Sequence, residues 1–235
     1  MNQRVPLMAL ASWLAAAGGT QAQEFVTYTL TWAEVMAGTT KPVAMPNGRI
    51  DPGEGVRIAI RVEITPAVGS TASYPMPPPP GTGIIAGFGS MLIDLLGTDL
   101  MGGSWSNLAT TAFGQGWPPP NPGFPQPNGD VLECRGGQFV LPGGSANSTN
   151  PIENFWRGTW TPLAYSARDA FITAAPASIA GMHHTSILIQ YGASSPSNPQ
   201  YIGKFVPGVF NGTGAIPIVP GPASWVLLAG GCAFL

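Results

Sequence analysis

Charge is what this 235-residue sequence has least of. Asp, Glu, Lys and Arg make up 9% of it, against about 25% in an ordinary soluble domain. Nine Lys and Arg stand against eleven Asp and Glu, a formal net charge of -2. So few cations draw no basic stripe, which argues against a protein that tracks nucleic-acid phosphates. The same scarcity leaves nothing for the charged outer positions of a coiled coil. A disordered polyelectrolyte does not fit either, because 44% of the residues are hydrophobic and such a chain can bury a core. There are two Cys and two His. Two thiols make neither a disulfide framework nor a metal site.

Glycine (32) and proline (26) are in excess, together roughly double their average share. Prolines so frequent argue against an all-helical protein.

The two ends differ from the middle. The N-terminus reads MNQRVPLMALASWLAAAGGTQAQ. Arg4 gives a positive start, Leu7 to Ala17 an apolar stretch, and Gly18 to Ala22 a zone of small residues. This is the layout of a secretory signal peptide, expected to be cut by signal peptidase after Ala22, with Thr20 and Ala22 as the small residues read at the cut. The C-terminus reads IPIVPGPASWVLLAGGCAFL. Ala223 to Leu235 carry no charge but are only thirteen residues, where a membrane-spanning helix needs about 20. We expect an incomplete helix, cut before its natural end. Pro217, Pro220 and Pro222 break structure ahead of it, and Trp225 stands where an interfacial aromatic would.

Val219, Pro220, Gly221 and Pro222, followed by this apolar run, resemble the PEP-CTERM sorting signal of bacterial envelope proteins. That signal joins a Val-Pro-Glu-Pro-like motif, one hydrophobic helix and a final arginine cluster. Here Gly221 replaces the usual glutamate and no arginine cluster follows. The resemblance implies export, transient anchoring in the inner membrane through the C-terminal helix, and processing by an exosortase-type enzyme. A GPI signal also ends in an apolar tail, but Ile216 to Val219 is apolar where it needs a polar spacer.

Cys134 lies in the middle of the chain and Cys232 in the tail, so the exported domain would hold one free thiol. An inert thiol is expected, since a nucleophile needs a positioned base.

The middle reads as short strands and turns. Val26, Tyr28, Leu30 and Trp32 alternate with Thr27, Thr29 and Thr31, a period of two in β-favouring residues. Asp51-Pro52-Gly53-Glu54 signals a turn. In the clearest strand, Val56, Ile58, Ile60, Val62 and Ile64 face one way, and Arg57, Ala59, Arg61 and Glu63 the other. That pattern belongs to an antiparallel strand with one wet face. Further strands are expected at 87–96 (where a helix also fits), within 130–141, and at 155–161, 168–173, 185–191 and 201–209. Pro-rich or Pro/Gly loops fill 73–83 and 114–129, and a polar loop fills 143–151. About eight strands with no confident long helix point to an all-β fold, an antiparallel β-sandwich or jelly-roll-like single domain with long Pro/Gly loops, plus the C-terminal hydrophobic helix. The turn at 51–54 and its following strand also resemble bacterial surface β-sandwich modules, including cohesin-like ones. The expected organisation is a signal peptide at 1–22, the domain at 23–215, a Pro-rich sorting linker at 216–222 and the incomplete transmembrane sorting helix at 223–235.

No phosphate-binding loop, zinc-protease motif, nucleophile elbow or calcium loop is present, so no cofactor, no metal and no enzymatic activity are expected. The Gly81–Gly87 run follows four prolines rather than a strand and reads as a turn. His183 and His184 would point to opposite faces of a strand. Asp94, Asp99, Asp130, Glu133, Glu153 and Asp169 could supply two carboxylates for glycoside hydrolysis, but chance alone gives such pairs. Trp105, Trp117, Trp156 and Trp160 carry two readings. Exposed indoles stack on sugar rings; alternatively they fill the core, as the shared strand face of Trp156 and Trp160 suits. Asn147-Ser148-Thr149 and Asn211-Gly212-Thr213 match the glycosylation pattern and mark polar loops.

The sequence therefore points to a non-enzymatic, exported structural or adhesive protein of the cell surface or extracellular matrix. The alternative is a surface-displayed carbohydrate-binding module with polysaccharide as partner. The coding sequence past Leu235 tests the anchoring: a few more apolar residues, then arginines and a stop, are expected, and a stop directly after Leu235 would remove the anchor.

Overall fold

The computed structural model describes residues 24–66, 85–100, 103–111, 120–137, 151–163, 168–177, 186–192 and 200–219. The signal peptide with Thr20 and Ala22, the proline run, Trp117, the histidine pair, Pro220, Gly221, Pro222 and the expected C-terminal helix lie outside the described residues.

The described chain is all-β, in two mostly antiparallel sheets. Its strands are β1 (Phe25–Met36), β2 (Glu54–Thr65), β3 (Ile85–Thr98), β4 (Ser104–Thr110), β5 (Phe124–Pro125), β6 (Val131–Gly137), β7 (Ile152–Thr161), β8 (Phe171–Pro176), β9 (Ser186–Gly192), β10 (Gln200–Val206) and β11 (Gly208–Asn211). Among the described residues no helix is long and apolar enough to cross a membrane.

The first sheet has the order β11-β1-β2-β7-β4. Its centre is the β1–β2 pair, in register from Phe25↔Thr65 to Met36↔Glu54. The turn at Asp51–Glu54 forms as expected: Glu54 N–H donates to Asp51 O at 3.0 Å, and Gly53 takes φ +92°, which a side chain would resist. Alternation then decides the faces. Val56, Ile58, Ile60, Val62 and Ile64 are buried, as are Val26, Tyr28 and Leu30 opposite them.

The second sheet is organised on the fourteen-residue β3. Ser90 pairs with Gly137 of β6 and with Ile187 of β9, and Ile93 pairs with Cys134 of β6 and Pro176 of β8. One edge of β3 therefore takes β6, while β9 and β8 lie end to end along the other. The ladder hydrogen bonds on both edges fix 85–98 as strand, which removes the helical alternative there.

Both sheets feed a single core that includes Tyr28, Ile60, Phe88, Ile93, Phe155 and Trp156. Tyr28 connects them directly. Its ring stacks on Phe210 of β11 at 5.3 Å and meets Phe88 of β3 edge-on at 6.5 Å. Its hydroxyl lies 2.5 Å from Ser186 Oγ of β9.

The expected strand over 201–209 is two strands in different sheets. Val206 pairs with Ser186 in the second sheet, and Gly208 with Val26 in the first, where β11 runs parallel to β1. Pro207 between them has no N–H for a ladder, yet its carbonyl accepts from Val26 N–H at 3.1 Å. The strand expected at 168–173 sits at 171–176, and β4 was not foreseen. Beyond β11 the chain stays attached. Ile216 exchanges backbone hydrogen bonds with Ala170, and Val219 N–H donates to Ile50 O at 3.0 Å. Ile216 and Ile218 are buried. Residues 216–219, expected in the linker, are thus packed onto the domain.

Removing the Tyr28 hydroxyl should strand Ser186 Oγ in a buried site. Tyr28→Phe is expected to destabilise the fold by about 1–3 kcal/mol, read as a lower urea midpoint at unchanged slope.

Candidate functional site

The sequence leaves the tryptophans two roles. Trp156 and Trp160 are 0% and 2% exposed, so neither can offer a face to a ligand. This corrects their reading as stacking residues: β2 and β4 flank β7 on both sides and its inner face closes on the core. Trp156 Nε1–H donates to Pro122 O at 2.7 Å. Trp160 lies so close under Gly103 that a Cβ there would meet its Nε1 at 2.0 Å. Trp105 is half-buried, packs edge-on against Trp156 at 6.0 Å and donates from Nε1 to Gly129 O at 2.8 Å. Trp117 lies outside the described residues. Trp105, Trp156 and Trp160 form no common exposed face.

Asp94, Asp130, Asp99 and Glu153 each have a local partner. Asp94 is buried and accepts from Glu133 N–H at 2.7 Å, and Asp130 accepts from Gly97 N–H at 2.8 Å. Asp99 and Glu153 face Arg168 and Arg61 at 3.9 Å and 3.2 Å. These acids serve turns, bulges and surface pairs. Among the described residues no three metal-ligating side chains cluster. Cys134 is buried, and its Sγ contacts Pro122 O at 3.4 Å. Burial pushes its thiol well above the usual range, and the nearby Asp94 carboxylate pushes the same way. This environment favours the neutral thiol over the reactive thiolate.

The outer face of the first sheet is different. Period two turns Arg57, Ala59 and Arg61 outward from β2. Arg157 stands opposite Ala59 on β7, and Ala109 of β4 stands opposite Arg157. On the other side Thr31 of β1 pairs with Ala59. One row across the sheet therefore reads Thr31, Ala59, Arg157, Ala109, three small residues and one cation. Arg57 and Arg61 flank Ala59 two residues away on either side, so Arg57 is a diagonal neighbour of Arg157 across the β2–β7 pair, at about 7–8 Å between such positions.

Two strands of this sheet are bulged here. Asn107 and Asn154 take φ +53°, a left-handed conformation that asparagine tolerates better than most residues. The ladder slips between Ser106 and Ala109 on β4 and between Ile60 and Val62 on β2. Beside the slips a hollow of about 130 Å³ opens, lined by Ala109, Thr110, Thr111, Asn154 and Arg157. Arg57 Nη2 reaches its rim and donates to Asn154 Oδ1 at 3.1 Å, while its Nε is buried without a partner. Arg61 is neutralised by Glu63 at 3.4 Å and Glu153 at 3.2 Å.

The sequence already shows Arg57 and Arg61 on a wet strand face but misses Arg157 and Asn154. The available signal is the alternation Trp156-Arg157-Gly158: once Trp156 is placed in the core, period two turns Arg157 outward.

No protein-family model, curated protein or solved structure matches the chain.

Because the folded thiol resists ionisation and the unfolded one does not, Cys134 stabilises below the unfolded thiol value and that contribution fades as pH rises above it. In a Cys232→Ser background, stability should decline above about pH 8.5 by up to about 1.4 kcal/mol per pH unit. Cys134→Ala should flatten that decline, measured by urea melts across pH. The native thiol should also ignore a disulfide reagent that labels it in denaturant.

Proposed function

We propose that this is an exported, non-enzymatic β-sandwich of the jelly-roll kind, with a structural or adhesive role at the cell surface or in the extracellular matrix. In this reading the chain is cut by signal peptidase, held for a time in the membrane by its C-terminal helix, and processed there by an exosortase-type enzyme.

The order of the sequence signals carries the proposal: a signal-peptide layout ends at Ala22, a Val-Pro-Gly-Pro motif starts at Val219, and the described residues between them include a packed all-β body. At its start, Glu24 lies two residues past the expected cut. Its buried carboxylate pairs with Lys204 at 2.5 Å, so a cut further inward would leave that cation unmatched. Near its other end Val219, the last described residue, donates from its N–H to Ile50 O, and Pro220-Gly221-Pro222 follow in the sequence. Sorting enzymes would thus meet the motif next to a folded body.

The sandwich reading is supported by inward side chains of both sheets meeting in one core. The carbohydrate-binding alternative loses Trp156 and Trp160, yet the arginine-lined hollow gives it a different, charge-based footing.

Expression of the whole chain in a bacterial host, with fractionation and N-terminal sequencing, tests export. A mature chain beginning at Gln23 in the envelope fraction is expected. Uncut protein in the cytosol would sink the proposal.

A further inference from the structure

We propose that the outer face of the first sheet binds the carboxylate groups of an acidic polysaccharide. Arg57 and Arg157 would supply the guanidinium forks, and Thr110 and Thr111 the rim of the hollow that takes the pendant group. The choice of a polysaccharide rests on the reading that the domain is exported; the charge complementarity stands on the geometry alone.

Size sets the class of group first. A hollow of about 130 Å³ is well below the 300–1,000 Å³ of sites that enclose a whole small molecule. It fits a carboxylate with a water or two, at about 30 Å³ per water, while the body of the ligand stays on the surface. Polarity sets the charge. The Arg157 side chain is exposed and makes no ion pair or hydrogen bond among the described residues, and the Arg57 side chain is held by the neutral Asn154. Planar guanidinium groups bind carboxylates two-pronged, which Lys cannot reproduce. The surroundings set the polymer. The centre of the face is paved with Thr29, Thr31, Ala59 and Ala109, so an extended chain can lie across it. Val209, exposed beside Thr27, stands at the β11 edge of this face and away from the arginines, whereas a protein partner commonly needs a central anchor. Solvent-exposed ion pairs are individually weak, so useful binding requires repeated carboxylates on one chain.

The test is affinity electrophoresis of the full chain through gels containing polygalacturonate, with neutral dextran as comparison. Retardation by polygalacturonate only, fading between about 0.05 and 0.5 M salt, is expected. Arg157→Ala should weaken it at least about 5-fold, and Arg157→Lys should recover only part. Arg168→Ala, which alters a cation paired with Asp99 at 3.9 Å elsewhere, should leave it unchanged. A thermal melt confirms that the exposed Arg157 position tolerates substitution. Equal retardation by dextran, an unaffected Arg157→Ala protein, or equal competition by free galacturonate at matched carboxylate concentration would each overturn the proposal. An uncut, cytosolic chain would end the export reading without altering this binding result. Absence of binding would leave export untouched.

Discussion

Tyr28 is where the two sheets are committed to each other. Fully buried, it stacks on Phe210, meets Phe88 edge-on and shares a hydrogen bond with Ser186. Phe88 in turn meets Phe155 at 5.1 Å. One line of aromatic rings thus runs from β11 through β1 and β3 to β7, crossing between the sheets twice. Such pairs add about 0.5–1.5 kcal/mol each beyond the area they bury. Their geometric role is larger. With Tyr28 fixed, β1 and β9 cannot slide independently, and Pro207 can hand the chain from one sheet to the other at a single corner. Burial pushes the Tyr28 hydroxyl well above its ordinary range, so it remains a neutral hydrogen-bonding group.

The irregularities around this core have a pattern. Asn107, Glu133 and Asn154 all take a left-handed conformation within strands β4, β6 and β7. Each sits where a ladder slips: Asn107 between Ser106 and Ala109, Glu133 opposite the Ile93/Leu95 step, and Asn154 opposite the Ile60/Val62 step. A bulge bends and twists its strand, so these residues shape the sheets around a core that plain strands would fit less well. At Glu133 the displaced N–H is taken up by the buried Asp94 carboxylate at 2.7 Å. At Asn107 and Asn154 the bulges face solvent on neighbouring strands, and the hollow beside Arg157 opens there. Core packing and the candidate site therefore share a cause.

Strict alternation made part of this legible in the sequence. Val56 to Ile64 and Val26 to Leu30 read correctly because an even period, once one face is apolar, fixes every side chain. The core positions Phe88, Met91, Ile93 and Leu95 also read correctly, although their spacing skips at the Phe88/Ser90 bulge. What failed was whatever depends on a partner strand. Phe155 and Trp156 are adjacent yet both buried, which period two forbids and the Asn154 bulge permits. Ser104 to Thr110 is too polar to announce a strand and forms one because the exposed edge of β7 pairs with it. The short parallel strand β11 carries no local signal of its direction. The site followed the same rule: Arg57 and Arg61 were visible, but their meeting with Arg157 is a product of strand register.

Scarcity of charge gives the remaining charges meaning. Among the described residues Lys204, Arg49, Arg61 and Arg168 each face an acid. Those pairs do structural service at the sheet corner, the 51–54 turn and the sheet surface. Lys41 stands exposed in a loop, and Arg135 stands on the second sheet. Arg57 and Arg157 alone share a surface without an acid partner there. In an ordinary domain, with about 25% charged residues, two such arginines would be unremarkable. In a chain with 9%, a β-sheet face can be solvated by Thr and Ser without guanidinium groups, as the Thr27, Thr29 and Thr31 row of β1 illustrates. Two cations set around a small residue beside a polar hollow add positive potential that solvation of the face does not require. An anionic ligand is the simplest physical use for it.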